Sequence, residues 1–176
     1  VDGALYSADM TYLGAWPIGR SENVVVPDRV KVIVPMAFAG CEMSEVSLPE
    51  GLEYIAMQSF LYCGGLETIC IPASVTMIES AVFAECHSLK EIDVAEGNAI
   101  FSSEKGALFG KSDDGEKVLV EWPAGNSESV DIPEDVDQIA AYALCCCHMT
   151  DVVIPASVNK IEEWAFYLSP NLTEVK

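Results

Sequence analysis

Any chemistry in this chain has to come from a few residues. Cys145, Cys146, Cys147 and His148 stand in a row, and thiolates with an imidazole are donors that suit zinc. Neighbouring side chains diverge, however, and the spacing is not that of a Cys-x-x-Cys knuckle, so four consecutive donors are poorly placed to close on one ion. A zinc-dependent enzyme using Cys145 to His148 is kept as an alternative. The reading adopted is buried thiols that pack as small apolar groups. Seven cysteines are present, so at least one has no partner within the chain. A hydrolase needs a base beside its nucleophile, and the two imidazoles, His87 and His148, each follow a cysteine at equivalent places of a repeat. Repetition accounts for them better than catalysis does. No nucleophile elbow, phosphate-binding loop, dinucleotide fingerprint or His-Glu-x-x-His occurs. The expectation is no enzyme, no cofactor and no bound metal.

Carboxylates abound: 28 Asp and Glu face nine Lys and Arg, for a net charge of -19. Such a chain cannot build the basic stripe that phosphate backbones require, and its field repels anionic lipid, so neither nucleic acid nor a membrane surface is expected as a partner. The nearly apolar run Ile139 to Cys147 is far shorter than the roughly 20 residues that span a bilayer. At 51% hydrophobic over 176 residues the chain can bury one core as a single domain, 1–176. It opens at Val1 without a basic, apolar leader, and reads as a trimmed piece of a longer protein.

What positions these residues is a repeat of about 22 to 23 residues, the mark of a solenoid. Pro27, Pro49, Pro72, Pro133 and Pro155 set its phase. Three residues on stand Val30, Leu52, Val75, Val136 and Val158; six on, Ile33, Ile55, Ile78, Ile139 and Ile161. Eleven on come Phe38, Phe60, Phe83, Leu144 and Phe166, and fourteen on Cys41, Cys63, Cys86, Cys147 and, breaking the pattern, Ser169. Each unit closes on a short strand with period-two alternation, such as Ile69 and Ile71 or Ile92 and Val94, which the next proline ends. These strands are expected to lie parallel in one sheet. Between the isoleucine and cysteine columns, as in Glu79 to Cys86, there is room for a short α- or 3₁₀-helix. A larger unit is duplicated: Trp16-Pro17 to Val26-Pro27 matches Trp122-Pro123 to Ile132-Pro133 at an offset of 106. Asp114-Gly115 between apolar stretches signals a β-hairpin. Residues 3–26 and 99–132 are read as hairpin-type insertion units, and 27–98 and 133–176 as regular repeats.

The outward positions of the closing strands offer a partner-binding face. Glu45, Glu67, Thr68, Glu91, Asp93, Asp151 and Glu174 fall there, and stacked acids at sheet spacing would form an interrupted acidic strip. That strip is either tolerated by solvent screening or relieved by a cation or a basic partner. The solenoid ends are expected to expose apolar surface, with self-association as one remedy.

Ile71 to Leu89 and Ile154 to Val175 carry the phrase Ile-Pro-x-x-Val-x-x-Ile, then Ala-Phe-x-x-Cys-x-x-Leu-x-x-Ile-x-Ile-Pro, with substitutions. The phrase resembles the BspA-like leucine-rich repeats, also called the Treponema pallidum type. The segment Lys105 to Phe109 through Val120 to Gly125 looks like the interruption common in that family. The resemblance implies an α/β, right-handed leucine-rich-repeat-like solenoid of short parallel strands and short helices with β-hairpin insertions. It further implies a secreted or surface-displayed protein of a host-associated bacterium, with adhesion to a host or bacterial protein as its role. The alternative is a passive spacer in a larger cell-surface protein.

Overall fold

The computed structural model describes residues 3–20 and 23–176. Residues 1 and 2 of the expected domain, and 21 and 22 of the first insertion unit, therefore lie outside the described residues. The chain winds as a β-solenoid whose long axis carries two five-stranded sheets. Each sheet opens with an antiparallel hairpin and continues in parallel. Leu5–Tyr6 pairs with Tyr12–Ala15, which is followed by Val32–Ile33, Tyr54–Ile55 and Met77–Ile78. Ser102–Glu104, Ala107–Lys111 and Lys117–Glu121 form a meander, followed by Gln138–Ile139 and Lys160–Ile161. The duplicated sequence is thus a duplicated sheet. The insertion's first loop is Lys105-Gly106, with φ of 53° and 80°; two positive values in a two-residue loop are the arrangement of a type I′ turn.

The isoleucine column runs through these sheets, one residue per strand. Ile33, Ile55 and Ile139 are fully buried, while Ile78 is half-buried and Ile161 is 46% exposed. The difference is positional: Met77–Ile78 and Lys160–Ile161 are the last strands of their sheets, with no neighbour on the outer side.

Two expectations are corrected. The closing strands do not share one sheet but form three separate parallel pairs: Val24–Val25 with Val46–Ser47, Thr68–Ile71 with Glu91–Val94, and Asp151–Val152 with Glu174–Val175. One interruption comes from the insertion, whose Gly106 carbonyl accepts the Ile92 N–H at 2.9 Å in the place where the next repeat's strand would dock. Nor are there short helices between the columns. Apart from a 3₁₀ turn at Ala124–Asn126, the described residues there form consecutive turns. The cause is a pair of left-handed residues in each coil. Met36, Gln58, Ala81, Tyr142 and Trp164, nine after each proline, have φ between 56° and 63°. Thirteen after it, Gly40, Tyr62, Glu85, Cys146 and Leu168 are also at positive φ. A right-handed helix cannot pass through such positions.

The turns stack coil on coil through backbone bonds that repeat in register. Phe38 N–H donates to Ser59 O, Phe60 to Val82 O and Leu144 to Ala165 O, at 2.7 to 3.0 Å. Inside, Trp16, Phe38, Phe60 and Phe83 form a continuous aromatic stack with centroids 5.7, 4.8 and 5.4 Å apart. A unit this thin has no core of its own; its apolar face is buried only by its neighbours.

Candidate functional site

All seven residues of the predicted partner face are exposed, and within the strands Thr68, Glu91 and Asp93 alternate with buried neighbours. Thr68 lies opposite Glu91, Cys70 opposite Asp93 and Asp151 opposite Glu174. The acidic strip is not continuous. The Lys105-Gly106 turn separates Glu91 and Asp93 from Asp151 and Glu174, and Lys105 itself pairs with Asp131 at 2.6 Å. Several acids are also partnered within the chain. Lys90 reaches Glu67 at 3.5 Å, Lys176 bridges Asp151 at 3.2 Å and Glu174 at 3.1 Å, and the Asn23 amide donates to Glu45 at 2.9 Å. Exposed pairs of this kind contribute little to stability, but they lower the local charge that the sequence alone attributes to the face.

The Cys145 to His148 row splits in three directions. Cys147 enters the core of the second half, whereas Cys145 and Cys146 join a small cluster with Ala81, Ala84 and Ala124. The His148 ring is exposed to solvent, with Nδ1 3.4 Å from Ala124 O and 3.5 Å from Ser127 Oγ. No group of three or more His, Cys, Asp or Glu among the described residues is arranged to hold a metal ion. His87 and His148, far apart in sequence, come to 5.4 Å between ring centroids, and Glu85 accepts from His87 Nε2 at 2.9 Å. Ser127, buried beside them, donates to Ala124 O at 2.6 Å and accepts the His148 N–H at 2.9 Å, so its hydroxyl is committed to the backbone.

All seven cysteines are free thiols, and the column has a structural task. Cys63 and Cys86 donate to Phe38 O at 3.1 Å and Phe60 O at 3.0 Å, each reaching back to the preceding coil. Ser169, the exception in the sequence, makes the same bond to Leu144 O at 2.8 Å. At these three positions a small donor is what matters, rather than sulfur as such. Burial pushes the Cys41 and Cys147 thiols up to about 12, which keeps them unreactive as nucleophiles.

The junction between the two copies is the most unusual place in the molecule. At Phe38, Phe60 and Leu144 the column N–H meets a backbone carbonyl of the next coil, but the coil that follows Phe83 is the insertion. The Phe83 N–H is directed at the Glu121 carboxyl instead, and burial pushes that carboxyl up to about 8. One turn on, the Glu85 N–H points to the Cys146 sulfur, where Tyr62 N–H finds Ala84 O at 3.0 Å. The Cys145 thiol is buried and directed at the Cys146 sulfur, so it is driven well above its usual range; the same contact, with Glu85 N–H, holds Cys146 below its own. Glu121 and Cys146 thus take the place of the carbonyls of a missing turn.

Six copies of the BspA-type leucine-rich repeat region match residues 19–110 and 124–176. The chain belongs to the BspA-type leucine-rich repeat family. Its fold is similar to that of a leucine-rich cell surface protein from Faecalibacterium prausnitzii, 28% identical over 88% of this chain and 41% of that one, with a TM-score of 0.77. The pneumococcal vaccine antigen PcpA shares the fold at 23% identity and a TM-score of 0.64, over 94% of this chain and 54% of that one. So does a leucine-rich repeat protein of T. pallidum, at 22% identity and a TM-score of 0.52, over 98% and 66%. The chain spans about two fifths to two thirds of the length of these relatives. No functionally curated protein matches it. No helix among the described residues is long and apolar enough to cross a membrane.

For a BspA-type repeat, the features that sequence reasoning missed are Glu121, Glu85 and the tyrosines of the turn face. A signal existed for the first. Glu121 stands where the first copy has Ala15, directly before the paired tryptophans Trp122 and Trp16, so an acid replaces a small apolar residue beside the core. Nothing in the linear pattern marks Glu85, because it occupies the same column as Gly40, Tyr62 and Leu168.

Proposed function

We propose that the chain is a protein-protein interaction module of a secreted or surface-displayed protein, with no catalytic role, and that it meets its partner on the exposed positions of the closing strands. The observation that carries this is the set of outward side chains on a repeat scaffold, Glu45, Glu67, Thr68, Glu91, Asp93, Asp151 and Glu174, in a chain of the BspA-type family. A relative described as a cell surface protein supports the extracellular setting. Glu91 and Asp93 lie on the same side of one strand, Glu91–Val94, with Ile92 buried between them. A partner with a basic patch fits the face, through steering and register more than through raw affinity.

The test is binding to a panel of purified host matrix proteins by surface plasmon resonance at low salt. Reversing Glu91 and Asp151 to Lys should weaken binding at least tenfold and flatten its salt dependence. Equal affinity of the double variant would remove the strand face from the interaction, and no binding across the panel by the full-length parent protein would remove the adhesion reading.

A further inference from the structure

The insertion leaves a mark on the opposite side of the solenoid. Regular coils present two outer turns each, but the insertion coil contributes only Ala124 to the cluster in which Ala81 and Ala84 face Cys145 and Cys146. Because that coil is short on this side, the coils before and after it meet mainly through those small side chains. A notch of about 200 Å³ opens between them, lined by Tyr62, Ala81, Glu85, Tyr142, Cys146 and Tyr167 among others.

The lining has a definite chemistry. Tyr62 is 59% exposed and Tyr167 44% exposed, while Tyr142 stands edge-on to Tyr167 at 5.9 Å and 81°. Leu61 and the two alanines make an apolar floor, and no lysine or arginine lines the notch. The one carboxylate is that of Glu85, whose only ion-pair partner among the described residues is the exposed His87. Aromatic faces attract a cation through their quadrupole, and a planar guanidinium also stacks on them while its fork donates to a carboxylate. The overall charge of -19 draws cations toward the surface from all sides.

We propose that this notch binds an arginine side chain presented by a basic protein partner. The aliphatic stem lies on Leu61, Ala81 and Ala84, the guanidinium sits against the tyrosine rings, and Glu85 accepts its N–H groups. This rests on the interaction-module reading above, but it places a contact on the turn face rather than the strand face. Tyrosine and arginine are the residue types that dominate interface energetics, and the site is fixed by coil stacking before any partner arrives.

The experiment uses the whole chain and a capped nine-residue glycine-serine peptide with one central arginine, titrated at low salt while the tyrosine ring resonances are followed by NMR. The expected result is saturable shifts of Tyr62, Tyr142 and Tyr167, with affinity at least fivefold weaker for the same peptide carrying neutral citrulline. Glu85→Gln should lose at least threefold, and Tyr62→Ala with Tyr167→Ala at least tenfold, each checked for an unchanged backbone spectrum. Equal binding of the citrulline peptide, or undiminished binding by the double tyrosine variant, overturns the proposal. The strand-face reversal at Glu91 and Asp151 separates the two readings. If it abolishes matrix-protein binding while the tyrosine variants leave that binding intact, the notch falls and the interaction module stands.

Discussion

Replacing Glu121 by Gln isolates the energetic cost of the junction between the two copies. The carboxyl is 4% exposed and is pushed up to about 8 from an ordinary 4.5, chiefly by burial, with the Phe83 N–H opposing. Because the folded state holds the proton more tightly than the unfolded chain does, the contribution of this group to stability is complete below pH 4.5. It is lost as pH rises through 8. At about 1.4 kcal/mol per pH unit, the interval from 4.5 to 8 corresponds to about 5 kcal/mol. That is an upper limit, since a carboxylate that ionises draws water into the junction. A glutamine side chain keeps an oxygen to accept the Phe83 N–H and does not titrate in this window. Urea denaturation of both proteins from pH 5 to pH 9 checks the reasoning. The variant should gain on the parent by about 1 kcal/mol per pH unit until pH 8 and then level off. The general repulsion among the other acids is common to both proteins and cancels in the difference. A difference that stays constant within half a kcal/mol, about the scatter of such measurements, would mean that the carboxyl is already solvated or ionised in the fold, and would refute the reasoning from burial.

Ser59 Oγ is fully buried with no hydrogen-bond partner among the described residues, in a column that is elsewhere Ala or Val; Ser59→Ala should stabilise by about 1 kcal/mol in the same assay. Ser169→Ala should lose about 1 kcal/mol with its bond to Leu144 O, while Ser169→Cys should restore most of it, as the other coils show. Met36 is exposed and left-handed, with φ of 61°; Met36→Val should destabilise by at least about 1 kcal/mol because a β-branched residue resists that conformation, and Met36→Asn should be neutral or better.

The repeat, its phase and its duplication were legible in the linear chain, because each buried column needs the same residue type at the same step and so writes its period into the chain. The closing-strand alternation was legible for the same reason: Ile69 and Ile71 are buried and Cys70 is not. The turns were not legible. Residues such as Gln58, Tyr62 and Trp164 in the left-handed positions carry none of the glycine signal that would announce them, since side chains pointing to solvent leave the stacked backbone bonds to hold the conformation. The candidate face was half legible. Exposure follows from period two, but which acids keep a free charge depends on Lys105, Lys176 and Lys90. The junction was not legible at all. There the insertion removes one turn from the stack, and Glu121, Cys146, Glu85 and three tyrosines meet across a gap. Periodicity describes what every coil shares, whereas a site arises where the stacking is interrupted.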